Sequence, residues 1–242
     1  MSNRGRNNED SVKQRSGWLI PLAIFFIIAV LSALFLLFYL VPPTSFIEQH
    51  QSPTSATESV HFSIGNLSLE IPANYLLYQN TRRGGVQKQV ELFAQFPDFG
   101  GYSDLASQTF SGNGADSPII YMLIRDEPLN LAEGERLRRV YLDYVSNPRG
   151  KPGPFGLIAY AFRDDSGYRN QDLFVGQMQG HGVVMRCVRF SPEVSSPSCL
   201  RDLRLSNVVV LSYRFKRAHL ASWFEIATGV RSLVDSFVRK AH

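Results

Sequence analysis

The sequence predicts an α+β protein: an N-terminal transmembrane helix followed by one domain of mostly antiparallel sheet with two packed helices. Three observations predict it. Trp18 to Leu40 is a run of 23 residues with no charge and a single Ser. Beyond residue 60, short segments alternate apolar and polar residues and are joined by short connections, which favours antiparallel pairing. Two further stretches carry apolar residues at helical spacing.

In chain order, residues 1–17 form a polar tail containing Arg4, Arg6, Lys13 and Arg15. The apolar run, bounded as 18–41, would extend about 34 Å as a helix, enough for a hydrocarbon core of about 30 Å. It is longer than a signal-peptide core and leads into Val41-Pro42-Pro43 rather than a small-residue cleavage site. The expectation is therefore an uncleaved signal-anchor. Basic residues crowd its N-terminal flank, and none follows until Arg82. By the positive-inside rule the tail is cytoplasmic and everything after the span lies outside, which in a bacterium is the periplasm, with the anchor in the cell inner membrane.

Residues 42–59, rich in Pro, Ser, Thr and Gln, read as a linker. The domain, 60–242, carries 21 Lys/Arg against 17 Asp/Glu with the signs interspersed. This is a solvated mixed surface, and nucleic acid is not an expected partner on this side of a membrane. Its first element is a hairpin: Val60, Phe62 and Ile64 alternate with polar residues, Gly65-Asn66 turns, and Leu67, Leu69 and Ile71 resume. Further strands are expected at 89–96, 118–127, 156–164, 172–178, 182–190, 199–205 and 207–215. A helix is expected over 129–147, capped by Asn130 with Glu133 three residues on, and another over 218–238 through Leu220, Trp223, Ala227, Val230, Val234 and Phe237.

Motifs for catalysis, metal or cofactor binding do not occur: there is no GxSxG, HExxH, Walker loop, CxxC or EF-hand, and the five His have no ligand spacing. No catalytic residue, metal ligand or cofactor is expected. The acids Asp126-Glu127 and Asp164-Asp165 flank strand ends as solvated turn residues. His181, between two glycines, marks a hairpin turn, and RRGG at 82–85 is either an anion-binding nest or a glycine turn with exposed arginines. One segment stands out. Residues 97–117 run between strands with four glycines yet contain Phe99, Tyr102, Asp104 and Phe110; a loop of that length is often a binding loop, and these four residues are the candidate binding site.

The two cysteines, Cys187 and Cys199, lie late in one expected strand and at the start of the next. Outside the cytoplasm a lone pair is expected to form a disulfide, since a metal site needs further ligands and a redox pair usually keeps CxxC spacing.

The succession IPANY (71–75), RRGG (82–85), FPDFGGYS (96–103), SGY (166–168), the paired cysteines and the closing LxxWFEIATGVRSLVDSF resembles uncharacterised single-pass inner-membrane/periplasmic proteins of alphaproteobacteria. The resemblance implies an envelope location and no activity. Three classes of function follow: a non-catalytic accessory module contacting an envelope protein, a small-ligand or lipid-binding domain, and an envelope hydrolase built around His181. The first is the leading expectation, with the inner membrane and an envelope protein as partners.

Overall fold

A computed structural model of the chain describes residues 18–40, 51–128 and 131–239. The chain divides into two units, residues 1–49 and 50–242. In the first, helix α1 runs over Leu19–Leu40. Side chains are described on it from Ile20 to Leu36, and all are exposed. Among the described residues no helix is long and apolar enough to cross a membrane, so the structure does not supply the span expected from the sequence. The tail, residues 41–50 and the proposed cap Asn130 lie outside the described residues.

The second unit is α+β. Strands β1 (Ser59–Ile64) and β2 (Leu67–Pro72) form the expected hairpin, with Gly65 at positive φ in its two-residue turn, and β3 (Gly85–Val86) adds to it in parallel. The main sheet is built from β4 (Gln89–Gln95), β5 (Ile119–Asp126), β6 (Lys151–Pro152), β7 (Ile158–Ala161), β8 (Gln171–Met178), β9 (His181–Val188), β10 (Ser198–Arg204) and β11 (Val209–Lys216). Its order is β4-β5-β11-β10-β9-β8-β7-β6, antiparallel throughout.

Three helices pack on it: α2 (Ser107–Ser111), α3 (Glu133–Arg139) and α4 (Trp223–Phe237). The helix expected over 129–147 is shorter in the structure. Val140 leaves helical geometry (φ −123°, ψ −63°), and Tyr141–Tyr144 continues as a 3₁₀ turn. Residues 97–117, expected as a loop, contain a 3₁₀ turn at Asp104–Ala106 and then α2. Residues 51–58, read as linker, run extended along the domain: Ser52 N–H donates to Leu77 O, the Glu58 carbonyl accepts from Ala73, and Arg82 hydrogen-bonds the Ser52 carbonyl.

The inner face of the sheet carries the main core. Leu92, Met122, Met185, Leu211 and Phe215 from its strands meet Phe62, Ile64, Leu69 and Ile71 of the hairpin and Trp223, Ile226, Val230 and Val234 of α4. The stripe read from the sequence at 220–237 is thus buried, as alternation on strands and 3.6-residue spacing on the helix require. Two glycines permit close approach. A Cβ on Gly176 of β8 would stand 2.6 Å from the Trp223 ring, and one on Gly229 of α4 would stand 2.0 Å from the Phe99 ring.

Among the described residues, cover on the outer face lies at its flanks. Over β8 and β9, Tyr141, Val145 and Phe162 pack on Leu173, Val175 and Val184. Over β4 and β5, Phe110 of α2 packs on Phe93 and Ile119 with Leu77. Between these caps no described residue covers the centre of the sheet.

Candidate functional site

The opening is a trough of about 990 Å³ on the outer face of β4, β5, β11 and β10. Strand alternation puts Glu91, Tyr121, Leu123, Arg125, Ser212, Arg214, Lys216, Leu200 and Asp202 on this face, and register aligns them in cross-strand rows. One row runs Phe93, Tyr121, Arg214, Leu200, Arg186; the next runs Glu91, Leu123, Ser212, Asp202. Phe110, Ser111 and Asn113 form part of the wall.

Most charges in the trough are paired. Arg125 Nη2 lies 2.6 Å from Glu127 Oε2, and its Nη1 donates to Ser212 Oγ at 2.6 Å. Ser212 donates in turn to Asp202 Oδ1. The other carboxylate oxygen of Asp202 faces Arg136 at 3.2 Å and Arg186 at 3.7 Å. The Arg186 guanidinium lies 5.5 Å from the ring centres of both Tyr141 and Tyr168. Lys216, buried, donates to Asn113 Oδ1 and Ser196 Oγ, each at 2.7 Å, and meets no carboxylate among the described residues. Burial, with the charge of Arg214 added, holds its ammonium below the ordinary lysine value. Arg214 is exposed in the middle of a central strand, and among the described residues its side chain has no hydrogen bond or ion pair.

Beside the trough, β9 and β10 pair only over Met185–Cys187 and Cys199–Arg201, whereas β8 and β9 pair along their full length. Beyond Met185 the ladder opens, and the Glu133 carboxylate occupies the gap: Oε1 accepts from the Val184 N–H at 2.5 Å and from Arg201 Nε at 2.8 Å, and Oε2 accepts from Arg201 Nη2 at 2.9 Å. Arg201 is 4% exposed and also donates to the Tyr213 hydroxyl. Burial alone would lower the Arg201 pKa, but its bonds to Glu133 and Tyr213 outweigh that and raise it. Helix α3 therefore grips adjacent residues of β10 on opposite faces, Arg201 through Glu133 and Asp202 through Arg136. Cys187 and Cys199 stand opposite each other in the paired part of this seam and form a disulfide, with Cα atoms 3.9 Å apart.

Of the four residues singled out in 97–117, Phe110 is buried with its ring 4.8 Å from Phe93 and 5.4 Å from Tyr102. Phe99, at positive φ, lies against Gly229 of α4 and accepts a hydrogen bond from Tyr75 on its carbonyl. Tyr102 is half-buried in the same cluster as Phe110. Asp104 is exposed and accepts from Ser55. The structure thus joins only Phe110 to the trough. Charged floor residues such as Arg214 and Lys216 were not singled out in the sequence, although SYRFK at 212–216 places polar side chains at a two-residue period within an apolar strand.

His181 is exposed at the tip of the β8–β9 hairpin, with no side-chain hydrogen bond or ion pair among the described residues, and the hydrolase constellation does not form around it. His219 is occupied by the carbonyls of Asp116 and Ser117. Among the described residues no group of three or more His, Cys, Asp or Glu is arranged to hold a metal. RRGG forms a turn in which Gly84 and Gly85 take positive φ and Arg83 is exposed.

No family model and no curated protein matches the chain. Among solved structures it is similar to an immunity protein of the Stenotrophomonas maltophilia type IV secretion system. The TM-score is 0.55 at 18% identity, over 76% of this chain and 94% of that one. At that identity the likeness is one of fold.

Proposed function

We propose that this chain is a non-catalytic binding module of the cell envelope, held at the inner membrane by α1, whose periplasmic domain engages another protein. The observation that carries the reading is the uncovered centre of the main sheet. Central strands are normally the best covered part of a domain, and here one presents to solvent, in an open trough of about 990 Å³, an arginine with no hydrogen bond or ion pair among the described residues. The fold likeness to a secretion-system immunity protein supports a role beside envelope machinery rather than in metabolism. The Cys187–Cys199 disulfide fits an oxidising compartment. The anchor rests on the 22-residue apolar helix, about 33 Å long, and on the basic flank that precedes it.

The trough volume lies within the range of small-molecule sites, which favours ligand binding as a second reading. Such sites are mainly apolar, however, and this floor is mostly charged or hydroxylated. In-cell photo-crosslinking from position 121, in the full chain, tests the two. A discrete protein adduct is expected; its absence at saturating crosslinking, with a small molecule co-purifying in the trough, would overturn the protein-binding reading.

A further inference from the structure

We propose that the trough receives an acidic segment of the partner protein, with a carboxylate of that segment bound by Arg214 at the centre of the floor. The inference rests on the protein-binding reading above and specifies its chemistry.

Charge accounting selects the ligand. Of the four basic side chains in the trough, Arg125 is neutralised by Glu127, and Arg186 shares Asp202 with Arg136. Arg214 and Lys216 remain, two residues apart on one face of β11, and the hydrogen bonds of Lys216 go to the neutral oxygens of Asn113 and Ser196. Among the described residues the acid on the floor without an ion pair, Glu91, stands a row away and accepts a hydrogen bond from Gln89. Two like charges held side by side on a partly desolvated strand repel, and an incoming carboxylate relieves both. Burial chiefly, with the charge of Arg214 added, lowers the Lys216 ammonium.

Shape selects a segment over a small anion. The open floor crosses four strands at about 4.8 Å spacing, roughly 14 Å, or about four residues of extended chain. Along it, Tyr121, Leu123 and Leu200 alternate with the polar side chains and offer apolar contact to residues flanking the carboxylate. A lone phosphate or carboxylate would use Arg214 and leave these surfaces wet.

The test uses the full chain in mild detergent and a fluorescent octaglutamate peptide as probe, with octalysine, citrate and phosphate as comparisons. Octaglutamate is expected to bind, and Arg214→Glu to weaken it at least tenfold and to confer affinity for octalysine. Arg83→Glu, an equal charge change on an exposed turn away from the trough, is expected to have little effect. Arg214→Gln keeps the proposal testable should the reversal perturb folding. Equal peptide affinity in wild type and both Arg214 variants overturns the proposal, as does citrate or phosphate competing at concentrations equal to the peptide. Photo-crosslinking from position 121 separates the two levels: a protein adduct unaffected by Arg214→Glu overturns the acidic chemistry and leaves the protein-binding reading standing. Loss of the adduct altogether in wild type overturns both.

Discussion

Glu133 illustrates how one carboxylate can substitute for a strand. It takes the Val184 N–H that a neighbouring strand would have accepted and neutralises Arg201, which sits at a core position of β10 between Cys199 and Leu203. Removing one partner of a buried pair leaves an uncompensated charge and costs about 3–5 kcal/mol. Glu133→Ala is expected to lose stability in that range by urea unfolding, while the double variant Glu133→Leu with Arg201→Met should recover most of it. A similar loss in both would assign the effect to helix packing instead. Tyr213, buried beside Arg201, has its pKa raised by that burial, with Arg201 pulling partly the other way. Because the folded state resists ionising it, its contribution is complete below about pH 10, where an unfolded tyrosine ionises, and is lost as pH rises through the higher folded value. Tyr213→Phe should therefore flatten the fall in urea midpoint between pH 9 and 11. An unchanged slope would place the alkaline sensitivity on Tyr75, Tyr121 and Tyr141, which burial also raises.

Pairs of elements were legible in the sequence where their signal was local. The β1–β2 hairpin and the α4 stripe follow directly from alternation and helical spacing, and Cys187 with Cys199 from strand order and compartment. The docking of 97–117 on α4 was not legible, because the fit of Phe99 onto Gly229 is a long-range match between two segments with no shared period. It makes a sharp prediction: Gly229→Ala raises helix propensity locally yet should destabilise by about 1–3 kcal/mol through overpacking, and Phe99→Ala in the same chain should remove most of that penalty. A stabilised Gly229→Ala protein, measured by thermal unfolding, would show that the loop does not rest there. The disulfide joins strands that are otherwise paired over a short stretch. Closing a loop with a sequence separation of 12 is expected to contribute about 3 kcal/mol, read as the difference in urea unfolding between oxidised and reduced protein.

For the molecule as a whole, the sequence indicated an α+β domain with a largely antiparallel sheet but not which strands are central. Strand order depends on β10 and β11 entering between β5 and β9, and no periodicity encodes that crossover. The trough was invisible for the same reason: Arg214 is an ordinary outward residue of an amphipathic strand until the order makes its strand a central one. The proposed topology is checked at this scale. A reporter active only outside the cytoplasm should be active when fused after His242 and silent at the N-terminus, and the reverse pattern would overturn the orientation.

The short seam between β9 and β10 also sets how the sheet can breathe. The meander β6–β9 is local in the chain, spanning Lys151–Val188, while β4, β5, β10 and β11 are gathered from both sides of it. Within the sheet the two halves are joined by a few ladder bonds and one covalent link, and outside it by the side chains of α3, the Arg217–Asp172 ion pair and the packing of α4, so the seam is a natural line of sub-global opening. The Val184 amide is a built-in gauge of that opening, since it is shielded by a side chain rather than by a strand. Its hydrogen exchange should be far faster than that of Leu173 or Leu211, deep in continuous ladders. Because Asp202 binds Arg186 across the seam and Arg136 above it, a guest settling in the trough would brace both halves at once. Slower exchange at Val184 would then register occupancy two strands away from Arg214.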